Sequence, residues 1–323
     1  MRQILSLSGG GYRGIFTAKI LMALQEKSDL PIVDRFDLIA GTSIGGIIAC
    51  GLAAGIPVSQ IHSAMKKNGP AIFDSSIRLP LLGFNIPLPR KGILRTRYSA
   101  DGLKSTIEAV LGDKASSKLS QIEKPLLIIS VNRSLAKPVI FSTGPFLNES
   151  YSDVTLLEAC LSTSAAPTYF PEQAIKGDNL VDGGIIANSP DSIALIKALS
   201  IWAPDRHELK MLSIGTAGES LNDHYRVPGK YGAIRWLLAR RLYDITMRAQ
   251  ERLSIELTSQ FLLDRHIRID NEPSQQQRKK IGMDKTGEFA TSTLESLANE
   301  SLQDMPGRDR QILGEIMRHK SRI

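Results

Sequence analysis

The sequence predicts an α/β fold in which a central, mostly parallel sheet is flanked by helices and followed by a helical C-terminal part. Short apolar runs alternate with helical stretches from the amino terminus onwards, which is the pattern of parallel strands joined by helical crossovers. Two glycine-rich turns each stand between a strand and the next helix, where such folds carry their functional groups. Beyond Gly218 the pattern is mostly helical and richer in charge.

The predicted elements follow in chain order. A strand at Gln3–Leu7 precedes an amphipathic helix at Ile15–Lys27, and a strand at Phe36–Ala40 leads into an apolar helix at Ile44–Ala54. This βαβα beginning is typical of a parallel sheet covered by helices. The remaining predictions are a strand at 126–131 with a hairpin partner at 139–142, a helix around 154–164, a strand end at 180–182, a helix at 191–199 and a strand at 211–214.

The chain has 323 residues, of which 42% are hydrophobic, enough to bury one large core. We expect a single domain over 1–323, with a motif-bearing core at about 3–218 and a helix-rich part at 219–323. The segment Ser75–Arg97 is less regular, because it mixes apolar residues with prolines and positive charge. It fits either a loop that touches a lipid surface or a buried irregular loop with a solvated end. Its basic residues are Arg90, Lys91, Arg95 and Arg97.

The formal net charge of +7 and an isoelectric point near 9.4 suit anionic partners, although most charged residues in any protein are solvated surface. Cys50 and Cys160 are too few for a disulfide framework or a cysteine metal cluster, so we expect a reducing compartment. We recognise no signal-peptide pattern before the first glycines and predict no membrane-spanning stretch. We therefore expect a cytoplasmic protein.

The first glycine-rich turn has two interpretations. Gly9, Gly11 and Gly14 match the dinucleotide fingerprint G-x-G-x-x-G, which predicts a bound pyrophosphate. Asp34 and Asp37 stand near enough downstream to serve as the ribose-binding acid of such a site. An anion that forms only during a reaction is the alternative.

The second glycine-rich turn, Gly41-Thr42-Ser43-Ile44-Gly45, has the pattern and context of a G-x-S-x-G nucleophile elbow. Small residues on both sides of Ser43 let the chain turn sharply and leave Oγ exposed next to the positive end of a helix. Ser43 is therefore the candidate nucleophile. A glycine-serine turn with no chemical role is the alternative.

A serine nucleophile needs a base that takes its proton. His207, His224, His266 and His319 follow in the chain, and none stands in a small-residue turn at a strand end. Asp182, by contrast, is delivered by a short strand into the turn Asp182-Gly183-Gly184, where a carboxylate can approach a serine closely. Asp182 is the candidate general base, although a D-G-G sequence is most often only a turn.

Acyl transfer also requires donors for the oxyanion of a tetrahedral intermediate. The amides of Gly9, Gly10 and Gly11 can converge on one oxygen because no Cβ obstructs them. Arg13 is expected to add positive charge or to brace the loop. This interpretation accounts for both glycine turns and the D-G-G sequence, whereas a dinucleotide site leaves the last two unexplained.

Together these motifs resemble the patatin-like phospholipases, in order and spacing. The resemblance covers about Ile4 to Gly218 and includes Ser164–Pro171 and Ser213–Thr216. It implies a patatin-like fold, a Ser43–Asp182 dyad without histidine, an oxyanion hole in the first glycine loop, and hydrolysis of lipid esters with no metal or cofactor. Ser8 and Gly184 stand where many members have aspartate and alanine, and neither position supplies a reacting group.

More narrowly, the opening motif is similar to that of bacterial phospholipase effectors of CBASS antiphage defence. That resemblance implies membrane phospholipid as substrate at the inner membrane surface and a cyclic dinucleotide such as cGAMP as activator, with no nucleic acid polymer as partner. It leaves the oligomeric state open. Arg95, Arg97 and the cluster 278–280 are candidate nucleotide contacts, with a solvated surface as the alternative. A constitutive lipid esterase, a dinucleotide-binding oxidoreductase and a catalytically silent binding module remain competing functions.

Overall fold

The structure is a computed structural model that describes residues 1–73, 76–81, 84–89, 96–202, 205–218 and 241–321, with the backbone alone for 76–81, 84–89, 206 and 241–244. The strands are β1 Arg2–Leu7, β2 Leu38–Thr42, β3 Ser76–Leu81, β4 Phe84–Pro89, β5 Leu126–Asn132, β6 Lys137–Ser142, β7 Gln173–Ile175, β8 Asp178–Asp182, β9 Leu209–Ile214 and β10 His266–Ile269. The helices are α1 Gly14–Gln25, α2 Ile44–Ala53, α3 Val58–Ile72, α4 Ala100–Leu111, α5 Leu156–Thr163, α6 Gly184–Ala187, α7 Asp191–Trp202, α8 Arg241–Leu262, α9 Gln275–Arg278, α10 Glu288–Gln303 and α11 Gly307–Arg318.

In the described part of the chain, eight strands form one mixed sheet in the order β10-β9-β1-β2-β5-β8-β7, with β6 also paired to β5. The pairs from β10 through β5 are parallel, and β6, β7 and β8 are joined by antiparallel pairing. Strands β3 and β4 form a separate antiparallel pair. The predicted mostly parallel sheet is confirmed.

The sheet is buried on both faces, as parallel sheets generally are. Side chains alternate along a strand, so Ile4 packs with Ala194 and Ala198 of α7 on one face, while Leu5 and Leu7 belong to the larger core on the other. That larger core also contains apolar residues of α1, α2, α5 and α10. The apolar runs of the sequence become strands because both of their faces are covered.

Register brings three strand ends to one level. Leu7 at the end of β1 pairs with Gly41 of β2, and the end of β2 pairs with Ile129 of β5. Because β8 is antiparallel to β5, its last residue, Asp182, pairs with Ser130, one position beyond Ile129. The loops that follow β1, β2 and β8 therefore meet at the same end of the strands.

Two predictions need correction. Within 75–97, β3 and β4 are an antiparallel strand pair and not an irregular loop, because antiparallel pairing satisfies backbone groups that a loop would leave unpaired. Its side chains and residues 90–95 lie outside what is described, so lipid contact stays a prediction. The part after 218 is mostly helical in its described residues, 241–321, but it also adds β10 to the sheet. The single-domain division stays a prediction.

Candidate active site

Ser43 lies at the turn between β2 and α2 in a backbone conformation that is rare outside glycine. Its φ and ψ are 55° and −127°, and such strain costs on the order of 1 kcal/mol or more. The turn is tight, since a Cβ at Gly41 would lie 2.4 Å from the Gly45 carbonyl oxygen. A Cβ at Gly45 would lie 2.3 Å from the Leu7 carbonyl oxygen. Close backbone contacts thus require both glycines of the predicted elbow.

Thr163, the last residue of α5, holds the backbone of Ser43. Its Oγ1 accepts a 2.9 Å hydrogen bond from the Ser43 amide and donates a 2.5 Å bond to the Ile129 carbonyl. Ser43 also stands at the N-cap of α2, next to the positive end of that helix. Both features fix the serine at a point where negative charge on its oxygen is stabilised.

Asp182 is 2% exposed, and its carboxyl lies close enough to Ser43 for the serine to lower its pKa. The Gly184 amide donates a hydrogen bond to this carboxylate at 2.7 Å. A Cβ at Gly183 would lie 2.2 Å from the Ile129 carbonyl oxygen, which is too close for any side chain. The position therefore requires glycine. The structure therefore brings together the serine and the aspartate that the sequence keeps far apart.

Burial is the largest influence on Asp182, and it raises the pKa of this carboxyl from 3.8 to about 7. The hydrogen bonds from the Gly184 amide and from Ser43 lower the pKa but do not offset burial. A carboxylate with a pKa near neutral is a stronger base than an ordinary aspartate, and about half of it is ionised at pH 7. Asp182 therefore has the properties of a general base.

The glycine loop after β1 lies against Ser43, because a Cβ at Gly9 would be 3.1 Å from the Ser43 Cβ. The Gly9 amide already donates to the Asn188 carbonyl at 2.9 Å. Within the described residues, the amides of Gly10 and Gly11 have no hydrogen-bond partner. The Gly9 amide thus fixes the loop, which leaves the amides of Gly10 and Gly11 as the candidate oxyanion donors, and the oxyanion hole stays a prediction.

Arg13 braces the same loop. Its Nε donates to the Gly10 carbonyl at 3.4 Å, and its backbone amide donates to that carbonyl at 3.3 Å. The last glycine of the motif, Gly14, has a packing role, because a Cβ there would lie 2.4 Å from a side-chain carbon of Ile44. The bracing role expected of Arg13 is thus present in the geometry.

An apolar cleft of about 40 Å³ lies beside Ser43. Met283 forms part of its wall, and the Met283 carbonyl accepts a 2.8 Å hydrogen bond from the Tyr12 amide. The next residue, Asp284, pairs with Arg97 at 2.6 Å and accepts a 2.9 Å bond from the Tyr98 hydroxyl. Other lining residues are Ile44, Ile47, Met65, Leu103, Ser164 and Phe170.

The sequence patterns did not indicate Thr163, Asn188 or Met283 as parts of the site. Each comes from a different element, and no local motif links it to Ser43. Thr216, whose hydroxyl donates to the Gly9 carbonyl at 3.2 Å, stands in the segment Ser213–Thr216 that the resemblance includes. That segment was the signal available for it.

Some of the basic residues noted in the sequence as possible lipid or nucleotide contacts, Arg90, Lys91 and Arg95, lie outside the described residues. Others contact groups of this chain. Arg97 is paired with Asp284, and the Arg278 Nε donates to the Pro273 carbonyl at 2.8 Å. Lys280 lies 5.9 Å from the centre of the Phe289 ring. These contacts assign no nucleotide site.

Of the histidines that follow Asp182, His266 and His319 have other partners. His266 contacts Ser259 at 2.6 Å and Asp191 at 3.0 Å, and His319 contacts Asp37 at 3.1 Å. His224 lies outside the described residues. Among the residues described, no cluster of three or more histidine, cysteine, aspartate or glutamate side chains could hold a metal ion.

The helices that can be traced include none with the length and apolarity needed to cross a bilayer. Cys50 and Cys160 are free and buried.

Comparisons with known proteins identify the family of this chain. The model of the patatin-like phospholipase family matches residues 5–195. A cGAMP-activated phospholipase of Escherichia coli (strain TW11681) is 31% identical, over 96% of this chain and 88% of that protein. The cGAMP-activated phospholipase of Vibrio cholerae serotype O1 is 32% identical, over 97% and 90%.

The fold is shared with VipD from Legionella pneumophila, at a TM-score of 0.50 and 14% identity, over 97% of this chain and 67% of that one. The predicted fold class is therefore confirmed. The chain belongs to the patatin-like phospholipase family, whose members are lipid ester hydrolases.

Proposed function

We propose that this enzyme cleaves acyl esters of membrane glycerophospholipids with a Ser43–Asp182 dyad and acts as an antiphage defence effector switched on by a cyclic dinucleotide such as cGAMP. The observation that carries the catalytic proposal is the Asp182 carboxyl, buried beside Ser43 with its pKa raised to about 7. The names of the relatives, which state activation by cGAMP, support the proposed switch.

In the first half of the reaction, Asp182 takes the proton of Ser43 Oγ as that oxygen attacks the ester carbonyl carbon. The carbonyl electron pair moves onto its oxygen, which accepts hydrogen bonds from the amides of Gly10 and Gly11. When this intermediate collapses, the bond to the leaving oxygen breaks. The proton held by Asp182 passes to the departing lysophospholipid or alcohol.

In the second half, water replaces the lost product. Asp182 takes a proton from that water, and the resulting hydroxide attacks the acyl carbonyl on Ser43. The intermediate collapses with release of the Ser43 oxygen, which recovers its proton from Asp182. A fatty acid leaves, and the dyad returns to its starting state.

Met283, in the wall of the cleft, is tied to the glycine loop through the hydrogen bond from the Tyr12 amide to its carbonyl. The proposed activator would switch the enzyme on by favouring a state in which this wall admits lipid.

We place the enzyme in the cytoplasm at the inner membrane surface. The net charge of +7 supports attraction to an anionic lipid face.

Fatty-acid release from phospholipid liposomes tests the whole proposal. We expect the wild-type protein to release fatty acid when cGAMP is added and to be nearly silent without it. Ser43→Ala should remain folded and release none under either condition. Release by Ser43→Ala at the wild-type rate would contradict the dyad, whereas full wild-type activity without nucleotide would leave a constitutive lipid esterase.

A further inference from the structure

The glycine loop after β1 separates two cavities of different character. Ser43 and Gly11 line the apolar cleft on one side. A polar cavity of about 260 Å³ lies on the other, and its wall includes Arg13, Asn188 and Thr216. These three residues are the ones whose side chains bind the carbonyls of the loop. The two sides of the loop therefore have different hydrogen-bonding roles.

Two side chains hold the Gly9 carbonyl. The Thr216 hydroxyl donates to it at 3.2 Å, and the Asn188 side-chain amide donates at 3.4 Å. In a trans peptide unit the carbonyl and the following N–H point in opposite directions, and no peptide bond in the described chain is cis. Holding the Gly9 carbonyl towards Thr216 therefore turns the Gly10 N–H away from it.

Thr216 has little freedom to move. It is 4% exposed, and a Cβ at Gly10 would lie 2.3 Å from its Oγ1. The next residue, Ala217, is anchored, because its amide donates to the Asp270 carboxylate at 2.9 Å. The hydroxyl of Thr216 is thus a fixed donor at the back of the loop.

We infer that Thr216 is a positioning residue for the oxyanion hole, whose hydroxyl fixes the Gly9–Gly10 peptide so that the Gly10 N–H faces the developing oxyanion. The inference rests on the proposed Ser43 chemistry. Thr216 itself neither touches substrate nor transfers a proton. Because donors fixed in advance need no reorientation during attack, loss of this hydroxyl slows the chemical step and leaves substrate binding unchanged.

One matched pair of variants isolates the hydroxyl. Thr216→Val replaces it with a methyl group of similar size, and Thr216→Ser retains it. We expect kcat of Thr216→Val to fall about 10- to 30-fold, less than the 10²–10³ lost when a direct oxyanion donor is removed. KM should stay within about twofold, and Thr216→Ser should recover most of kcat. Rates are measured on a phospholipid substrate under the conditions that give maximal wild-type activity.

A trifluoromethyl ketone lipid separates positioning from general damage. Ser43 Oγ adds to the ketone carbon, Asp182 takes the proton, and the carbonyl electron pair becomes an oxyanion in the hole. We expect its inhibition constant for Thr216→Val to rise by the same factor by which kcat/KM falls. Thr258→Val is the control, because the buried Thr258 hydroxyl donates to the Ser254 carbonyl within α8, a contact that does not involve the glycine loop.

A folded Thr216→Val protein with kcat and inhibition constant within twofold of wild type would overturn the inference. If Thr216→Val does not fold, Thr216→Ala and Thr216→Ser replace it, since both lack the methyl group and differ by the oxygen. Equal losses in these two variants would also overturn the inference. Full activity of Ser43→Ala, by contrast, would overturn the proposed function itself.

Discussion

Two buried aspartates have pKa values that are shifted in opposite directions. Asp182 ends β8, and Asp191 begins α7. Burial raises the pKa of Asp182 to about 7, with hydrogen bonds from the Gly184 amide and Ser43 acting against it. Burial acts on Asp191 in the same direction. There, hydrogen bonds and the charges of His266 and Arg268 outweigh it, and the pKa lies well below its ordinary value.

The difference lies in the number and charge of the donors. Asp191 is 0% exposed, and its donors come from β1, β9, β10 and the turn before α7. These donors are the hydroxyls of Ser6, Ser189 and Ser213 and the ring of His266. A carboxylate supplied with so many donors keeps its charge and joins the elements around it. One with few donors becomes a base.

The largest effect is expected from Asp182→Asn. The amide keeps the size of the carboxyl but cannot accept the Ser43 proton, so kcat should fall by ~10⁴ or more, as on removal of a triad member. The kcat is measured as the rate of fatty-acid release by folded Asp182→Asn protein. Loss of less than about tenfold would show that another group is the base.

Asp191→Asn should act mainly on stability. Removing the negative charge leaves His266 without its buried partner, while Arg268 keeps Glu251 and Asp270. Breaking a buried pair costs about 3 to 5 kcal/mol. Urea unfolding measures this loss. The kcat per folded molecule should change far less than in Asp182→Asn, and a comparable loss of kcat would contradict the division between base and anchor.

The two aspartates should also give stability opposite pH dependence. The folded-state pKa of Asp182 is raised, so its ionisation destabilises the fold as pH rises from about 3.8 to about 7. Asp182→Asn should therefore be more stable than wild type above pH 7, by about 2 to 4 kcal/mol, and equal to it below pH 4. The folded-state pKa of Asp191 is lowered, so its ionisation stabilises the fold at pH values above its unfolded-state pKa. That stabilisation is lost as the pH falls towards the folded-state pKa.

Unfolding of both proteins between pH 4 and pH 8 checks this sign. A difference that stays constant over the whole range would contradict a raised pKa for Asp182.

A smaller change is expected from Ser213→Ala. It removes a 3.0 Å donor to Asp191 and a 2.9 Å acceptor for Arg268, at a cost of about 2 kcal/mol. Ser200→Ala on the exposed face of α7 is the control, with no change beyond about 0.5 kcal/mol. Equal stabilities of the two variants would show that Asp191 does not depend on this donor.

Much of the fold and the proximity of Ser43 to Asp182 could be predicted because their signals are local. The apolar run before Ser43 and the glycines around it specify a strand and a tight turn. β10 could not be predicted in the same way, since four residues within a charge-rich helical region become a strand only by pairing with β9. The contact between His266 and Asp191 likewise depends on that pairing. The paired state of the Gly9 amide also has no sequence signal, because its partner is a backbone carbonyl.

The rate at which a fluorophosphonate lipid labels Ser43, followed from pH 5 to pH 9, tests the central claim most directly. The reaction expels fluoride and requires the Ser43 proton to be removed, so its rate should rise about tenfold per pH unit below 7 and level off above it. In Asp182→Asn the labelling should be slow and lack the inflection near pH 7. A wild-type rate that continues to rise to pH 9, or an inflection that survives in Asp182→Asn, would contradict Asp182 as the base.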